Sequence, residues 1–292
     1  MNIGIVGKNP NEWGSAQLIA SLKRFGLPCT YLSFPKLFAR VGYKPVLSVD
    51  GIDLIKDLAA LIVRPIGRGS LEEIIFRMDR LHALVRRGIP VINSPSAIEH
   101  CVDKYYALTL LEENGLPVPR TVVTESAKEA LKGFQELGND IVLKPLFGSR
   151  GVGSVRITDV ESALRIFNSI QYYHGILYLQ EFVPHGNFDI RAFVIGDDVS
   201  AAMRRIGSSW KTNVSQGAQP LTIHLDKQMQ NLAIEAAKIV GCEIAGVDII
   251  ETNSKPLIVE INSQPGWRGL QSVTQTNIAD HIVEHVLSKV KR

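Results

Sequence analysis

"KPLIVEINSQPGWRG", residues 255–269, holds an apolar run from Leu257 to Ile261 with Glu260 inside it and Asn262 directly after it. Side chains alternate between the two faces of a strand, so an acid on a wet face would be ordinary. Read outward, "AGVDIIETNSKPLIVEIN" (245–262) shows two apolar runs around the turn formers at 253–256, the pattern of a β-hairpin. A turn centred between Ser254 and Lys255 sets Asp248 opposite or nearly opposite Glu260. Asn262, two residues on, shares the face of Glu260. Facing carboxylates on a partly buried sheet repel and call for a counter-cation. Hard divalent ions take oxygen ligands from Asp, Glu and Asn. The hairpin therefore predicts Asp248, Glu260 and Asn262 as ligands of Mg2+ or Mn2+, against the plainer alternative of a half-exposed strand pair.

A second stretch supplies what such a metal would serve. In "VLKPLFGSRGVGSV" (142–155), Lys144 ends a strand and Gly148, Gly151 and Gly153 follow within a few residues. Glycines let backbone N–H groups approach a phosphate with no Cβ in the way. A plain glycine-rich turn is the alternative; the lysine upstream and the metal site downstream favour phosphate. Lys104, Glu181, the pair Asp189 and Arg191, and the run Arg204, Arg205 and Lys211 before Asn213 each read equally well as solvated surface when taken singly.

The 292 residues suggest about two domains, and 45% hydrophobic with 21% charged residues suits a chain that buries a core. Cys29, Cys101 and Cys242 form no close pair in sequence and no metal-type spacing, so no disulfide framework is expected and a reducing cytoplasm fits. The opening "MNIGIVG" reads as a strand, and no long apolar run follows, so neither a targeting nor a membrane segment is expected. A net charge of +3 without basic runs interleaved with aromatics gives no reason to expect nucleic-acid binding.

Strands at 2–6, 60–63 and 89–92 alternate with helices at 14–25 and 70–87, the signature of a parallel α/β domain ending near "INSPSAIEH" (92–100). "GIVGKNPNEWG" (4–14) lacks dinucleotide-fingerprint spacing. One helix is expected over 98–114, then a strand at 121–124 and a capping box from Ser126 to Glu129. Further strands follow at 153–157, 176–183, 189–195 and 199–206, with helices at 159–169 and 226–240.

Taken in order, Lys104, "VLKPLFGSRGVG", "YLQEFV", "DIRAFVIGD", "AAMRR", "WKTN", "AGVDII" and "VEINSQPG" resemble the RimK-type amino-acid ligases of the ATP-grasp fold. The wording is most similar to the archaeal branch that adds glutamate to the pterin coenzyme tetrahydromethanopterin. The resemblance implies three units, 1–95, 96–180 and 181–292, the first an N-terminal parallel α/β domain and the others two α+β lobes grasping ATP. It implies Lys104 and Lys144 on the phosphates, Gly148, Ser149, Gly151 and Gly153 as a lid, and Gln180, Glu181 and Phe182 as the hinge that reads adenine. Asp189, Lys211 and Asn213 complete the nucleotide set. Arg191, Arg204 and Arg205 are implied to bind substrate, with Lys144, Arg204, Arg205 and Lys211 assisting catalysis and two metal ions on Asp248, Glu260 and Asn262. At position 211 the family often has arginine, and lysine lacks the planar two-bond fork. The implied reaction joins an amino acid, glutamate, to an acceptor carboxylate through an acyl phosphate, in a cytoplasmic homo-oligomer. A protein or carrier-protein tail as acceptor, or a kinase using the same site, are the competing readings.

Overall fold

The computed structural model describes residues 1–148, 151–253 and 255–290. Its first sheet is parallel and contains β1 (Ile3–Gly7), β2 (Cys29–Ser33), β6 (Ala60–Val63) and β7 (Val91–Ile92), in the order β2-β1-β6-β7. β1 and β6 are buried throughout, as continuous aliphatic runs between covering layers must be. Helices α1 (Trp13–Arg24) and α3 (Leu71–Val85) make crossovers, and α3 opens on a capping box between Ser70 and Glu73. A small sheet of β3 (Phe38–Ala39), β4 (Leu47–Val49) and β5 (Ile52–Asp53), with the short α2 (Leu54–Asp57), fills the way to β6.

The helix expected over 98–114 is two helices, α4 (Pro95–Val102) and α5 (Lys104–Glu113). Asp103 breaks them: its extended backbone stops α4, and its carboxylate accepts from the N–H groups of Tyr105 and Tyr106 to start α5. Lys104 thereby becomes a first-turn residue on a capped helix start. β2 and a later strand, β14 (Gln219–Ile223), went unread because neither is a buried run.

Two antiparallel sheets follow. The central one holds β8 (Thr121–Thr124), β9 (Ile141–Lys144), β10 (Val155–Ile157) and β11 (Leu177–Glu181), in the order β10-β9-β11-β8. Helices α6 (Ala127–Glu136) and α7 (Val160–Tyr172) close its core around Phe134 and Phe167. The C-terminal sheet, ordered β14-β13-β12-β15-β16, adds β12 (Phe188–Ile195), β13 (Asp198–Ile206), β15 (Ile244–Ile250) and β16 (Leu257–Asn262).

Strand alternation gives this last sheet two unlike faces. Ile190, Ala192 and Val194 pack with Val247, α5 and α8 (Lys227–Ile239) in one core. On the other face, Phe193 and Met203 pack with Trp267, α10 (Ile278–Lys289) and Ile3 and Ile5 of β1, which seats the first sheet against the C-terminal one. Further along that same face the apolar residues give way to Asp189, Arg191, Arg205, Asp248 and Glu260. One surface is therefore core at one end and charged site at the other.

Candidate active site

The hairpin pairs as expected: Asp248 is the direct partner of Glu260, and Asn262 pairs with Gly246. The register then shifts by one residue after Asp248, a bulge that increases local twist. Beneath Glu260 lies a buried alternation of charge. Arg205, 4% exposed, donates to both oxygens of Asp189 at 2.7 and 2.5 Å and lies 3.0 Å from Asp248 Oδ1. Arg191 donates to Asp248 Oδ2 at 3.0 Å and comes within 2.5 Å of Oδ1. Gly246 makes that reach possible, since a Cβ there would fall 2.1 Å from Arg191 Nη1.

Burial works against the Arg205 charge, but Asp248 and Asp189 outweigh it and hold the guanidinium above its ordinary range. Burial pushes Asp248 up to about 6 despite the attraction of Arg191 and Arg205. Asp248 Oδ1 is nevertheless an orphaned buried acceptor, because neither arginine meets it with hydrogen-bond geometry. Among the described residues Glu260 and Asn262 have no side-chain partner. A carboxylate has about four lone-pair positions, so Asp248 keeps room for one further ligand and Glu260 for more. This oxygen set fits a hard divalent cation. No group of three acids, histidines or cysteines suited to a metal occurs among the described residues, so the amide of Asn262 would complete the site.

Opposite this floor stands a lysine wall. Lys144 closes β9 and its Nζ donates to Gln180 Oε1 at 2.6 Å; Gln180 is buried and donates in turn to Thr121 Oγ1 at 3.3 Å. Lys104 donates to the carbonyls of Gly148 and Leu146 at 2.7 and 3.3 Å, which ties the start of α5 to the glycine loop. Burial holds both ammonium groups below the ordinary lysine range, and Glu260 offsets only part of that. No carboxylate lies within ion-pair distance of either lysine among the described residues. Wall and floor together line one open cleft.

At the far end of the cleft, β11 runs into the segment expected to be a hinge. The Glu181 N–H donates to Arg120 O and the Phe182 N–H to Asp140 O, both at 2.9 Å. The Glu181 carboxylate is held by Arg120, Nε to Oε2 at 2.6 Å. Gln180, Glu181 and Phe182 all line the cleft, yet their polar groups are largely taken up by neighbours. Val183, which sequence reasoning passed over, lines the cleft with an N–H that has no partner among the described residues. Val142, Ile250 and Val259 add apolar walls nearby. Val142 was readable, since it lies two residues before Lys144 on the same strand face. Phe182 is fixed by Arg156, whose guanidinium carbon sits 3.5 Å from the ring centroid, and packs edge-on to Trp210 at 6.3 Å.

The loop 210–213 brings Lys211 and Asn213 into the same cleft, with Lys211 Nζ 5.3 Å from the Trp210 ring centroid. Gly148 and Gly151 line it from the glycine loop. Gly151 has φ +68°, and a Cβ on it would fall 2.3 Å from Asn213 Oδ1, so only glycine fits. Gly153 also has positive φ but packs toward Pro145 outside the cleft lining. Ser149 lies outside the described residues.

Arg204, Arg191 and Asn262 sit apart from expectation. Arg204 points to the opposite sheet face from Arg205, as adjacent strand residues must. It lies over the Phe188 ring at 4.3 Å and pairs with Glu251 at 3.2 Å, away from the cleft. Arg191, expected at substrate, is engaged with Asp248, and neither it nor Asn262 lines the cleft.

Two antiparallel sheets closing on a cleft with a lysine wall, a glycine loop and an acidic hairpin define the ATP-grasp class. The model of the RimK-like ATP-grasp domain matches residues 101–286. The tetrahydromethanopterin:alpha-L-glutamate ligase of Methanocaldococcus jannaschii is 39% identical over 244 residues, 81% of this chain and 82% of that protein. Its counterpart in Methanococcus maripaludis is 31% identical over 296 residues, 100% of this chain and 99% of that one. Among solved structures, the ATP-grasp ligase PsnB complexed with minimal precursor superposes with a TM-score of 0.80 at 20% identity, covering 99% of both chains. PsnB complexed with minimal precursor, Mg and ADP gives 0.78 at 21% identity, covering 99% of this chain and 98% of that one. The chain belongs to the RimK-like ATP-grasp family, and it is an ATP-grasp ligase. No helix among the described residues is long and apolar enough to cross a membrane.

Proposed function

We propose that the chain joins L-glutamate to the carboxylate of a pterin coenzyme such as tetrahydromethanopterin, through an acyl phosphate, leaving ADP and phosphate. One observation carries the phosphoryl-transfer reading: Lys104, Lys144 and an unpartnered Glu260 face one cleft over a floor locked by Arg205. The choice of glutamate and pterin rests on the names of the relatives described above.

A carboxylate resists an amine because its carbonyl carbon is weakly electrophilic and oxide is a poor leaving group. Phosphorylation by ATP removes both obstacles. Lys104 and Lys144 neutralise charge on the transferring phosphoryl group, and Lys211 and Asn213 close that end of the cleft. Gly148, Gly151 and Gly153 belong to the loop that covers the phosphates, with Lys104 fastening it. Asp248, Glu260 and Asn262 would hold two magnesium ions, which would supply neutralisation of phosphate charge. The Val183 N–H reads the adenine edge while Gln180, Glu181 and Phe182 shape that end. Asp189 and Arg205 fix Asp248, and Arg191 is its second cation. We place the working units at 1–95, 96–180 and 181–292.

The test combines ATP, Mg2+, L-glutamate and tetrahydromethanopterin, with nucleotides and products read by chromatography and mass. ADP and an acceptor heavier by one glutamyl residue are expected. AMP with pyrophosphate, or a phosphorylated acceptor with no amide, overturns the reading.

A further inference from the structure

Cys101 and Cys242 stand far apart in the chain, yet the structure brings their sulfurs to 3.5 Å. Cys101 lies in the last turn of α4 and is partly exposed; Cys242 is buried in the turn between α8 and β15. Two contacts hold this meeting point in place. His100, one residue before Cys101, bonds through Nδ1 to Val240 O at 3.1 Å. Asn93, at the entry to α4, accepts from the N–H groups of Glu243 and Ile244 at 2.8 and 2.9 Å, and donates to Ile244 O at 2.6 Å. The sulfurs are thus juxtaposed by anchors on both elements. A bond of about 2.05 Å requires the two sulfurs to approach by about 1.5 Å.

We propose that Cys101 and Cys242 are a reversible oxidation site, converted to an intramolecular disulfide by a low-molecular-weight disulfide. The more accessible Cys101 loses its proton and its thiolate attacks one sulfur of the small disulfide, forming a mixed disulfide and releasing one thiolate. Cys242 then loses its proton and attacks Cys101 Sγ, expelling the second thiolate. The two protein thiols are oxidised, the small disulfide is reduced to two thiols, and the two protons pass to the leaving thiolates. In the dithiol state the hydrogen bond to Cys101 and burial both hold the Cys242 thiol above its ordinary range, and oxidation quickens as pH rises because each attacking sulfur must be a thiolate.

The bond would close a loop containing the whole central sheet, and long loops gain most from closure. It would also tie the element leading into Lys104 to the one leading into Asp248. Both already pack in one core, so the crosslink acts as a staple rather than a distortion.

The test incubates full-length protein with glutathione disulfide and follows intact mass, peptide map and Tm. Expected are a loss of two hydrogen atoms, a 101–242 crosslinked peptide and a rise in Tm on the order of 10 °C, reversed by dithiothreitol. Cys29→Ser should behave as wild type, because burial raises its thiol to about 11 and it lies on β2 of the first sheet, outside this pair. Cys101→Ser should lose the effect. A persistent glutathione adduct on Cys101, or an unchanged mass after prolonged oxidation above pH 8, overturns the proposal. Both readouts come from the wild-type chain, so they stand even if a variant folds poorly.

Discussion

The two sides of the cleft hold their charges in opposite states. On the floor every cation has its anion: Arg205 between Asp189 and Asp248, Arg191 on Asp248. On the wall Lys104 and Lys144 face backbone carbonyls and an amide, with no carboxylate in contact. The arginine network of the floor is paired without ligand and braces the sheet, while Asp248 Oδ1 and Glu260 stay open to a cation. The wall is left electrostatically wanting, and burial makes its positive charge unfavourable until an anion arrives. The arginine network thus serves stability, whereas the lysine wall and Glu260 serve catalysis.

Breaking the floor should give the largest effect. Arg205→Leu leaves Asp189 and Asp248 facing each other in the interior without their shared cation, and should lower unfolding free energy by about 3–5 kcal/mol. Chemical denaturation without nucleotide measures it; an unchanged midpoint would mean the network does not brace the sheet. Glu260→Gln belongs to the same hairpin yet should behave oppositely. It removes no ion pair, so folding should hold while kcat/KM for ATP falls by about 10³-fold and the magnesium requirement rises. A variant with native magnesium dependence would reduce the hairpin to a strand pair with two awkward acids.

On the wall, Lys144→Ala should cut kcat/KM for ATP by about 10²-fold with stability equal to or above that of wild type. The pH sign follows from burial. With its folded pKa below the unfolded 10.5, Lys144 binds fewer protons in the native state than in the unfolded chain. Stability relative to Lys144→Met should therefore be lowest below the folded pKa and recover as pH rises toward 10.5. A stability gap that widens with pH over that interval would contradict an unpaired buried ammonium. The smallest effect is expected for Gln180→Leu, which frees Lys144 from its one side-chain tether; about a tenfold loss in kcat is expected, with ATP binding less affected. If Gln180→Glu, which supplies a charge partner, restores more activity than Gln180→Leu, the tether rather than the bulk of Gln180 is what matters.

Much of the site was readable because its logic is local. The facing of Asp248 and Glu260 follows from two apolar runs and a turn, and Lys144 before a glycine loop needs only strand alternation and backbone freedom. Even the misplaced Arg204 was decidable from local rules, since it adjoins Arg205 on one strand. The single helix expected over 98–114 failed for a local reason too: the Asp103 side chain competes for N–H groups and restarts the helix.

What the chain could not disclose alone lies between residues far apart. Hydrophobic runs, turn formers and acid spacing determine that strands form, where a hairpin bends and which side chains share a face, because those depend on neighbours a few residues away. Packing of the first sheet onto Phe193 and Trp267, the capture of Arg191 by Asp248 across two strands, the freedom of the Val183 N–H and the meeting of Cys101 with Cys242 were decided only by the tertiary structure. Pairing and burial of polar groups depend on which distant partner arrives first within hydrogen-bond reach, and no one-dimensional pattern carries that distance.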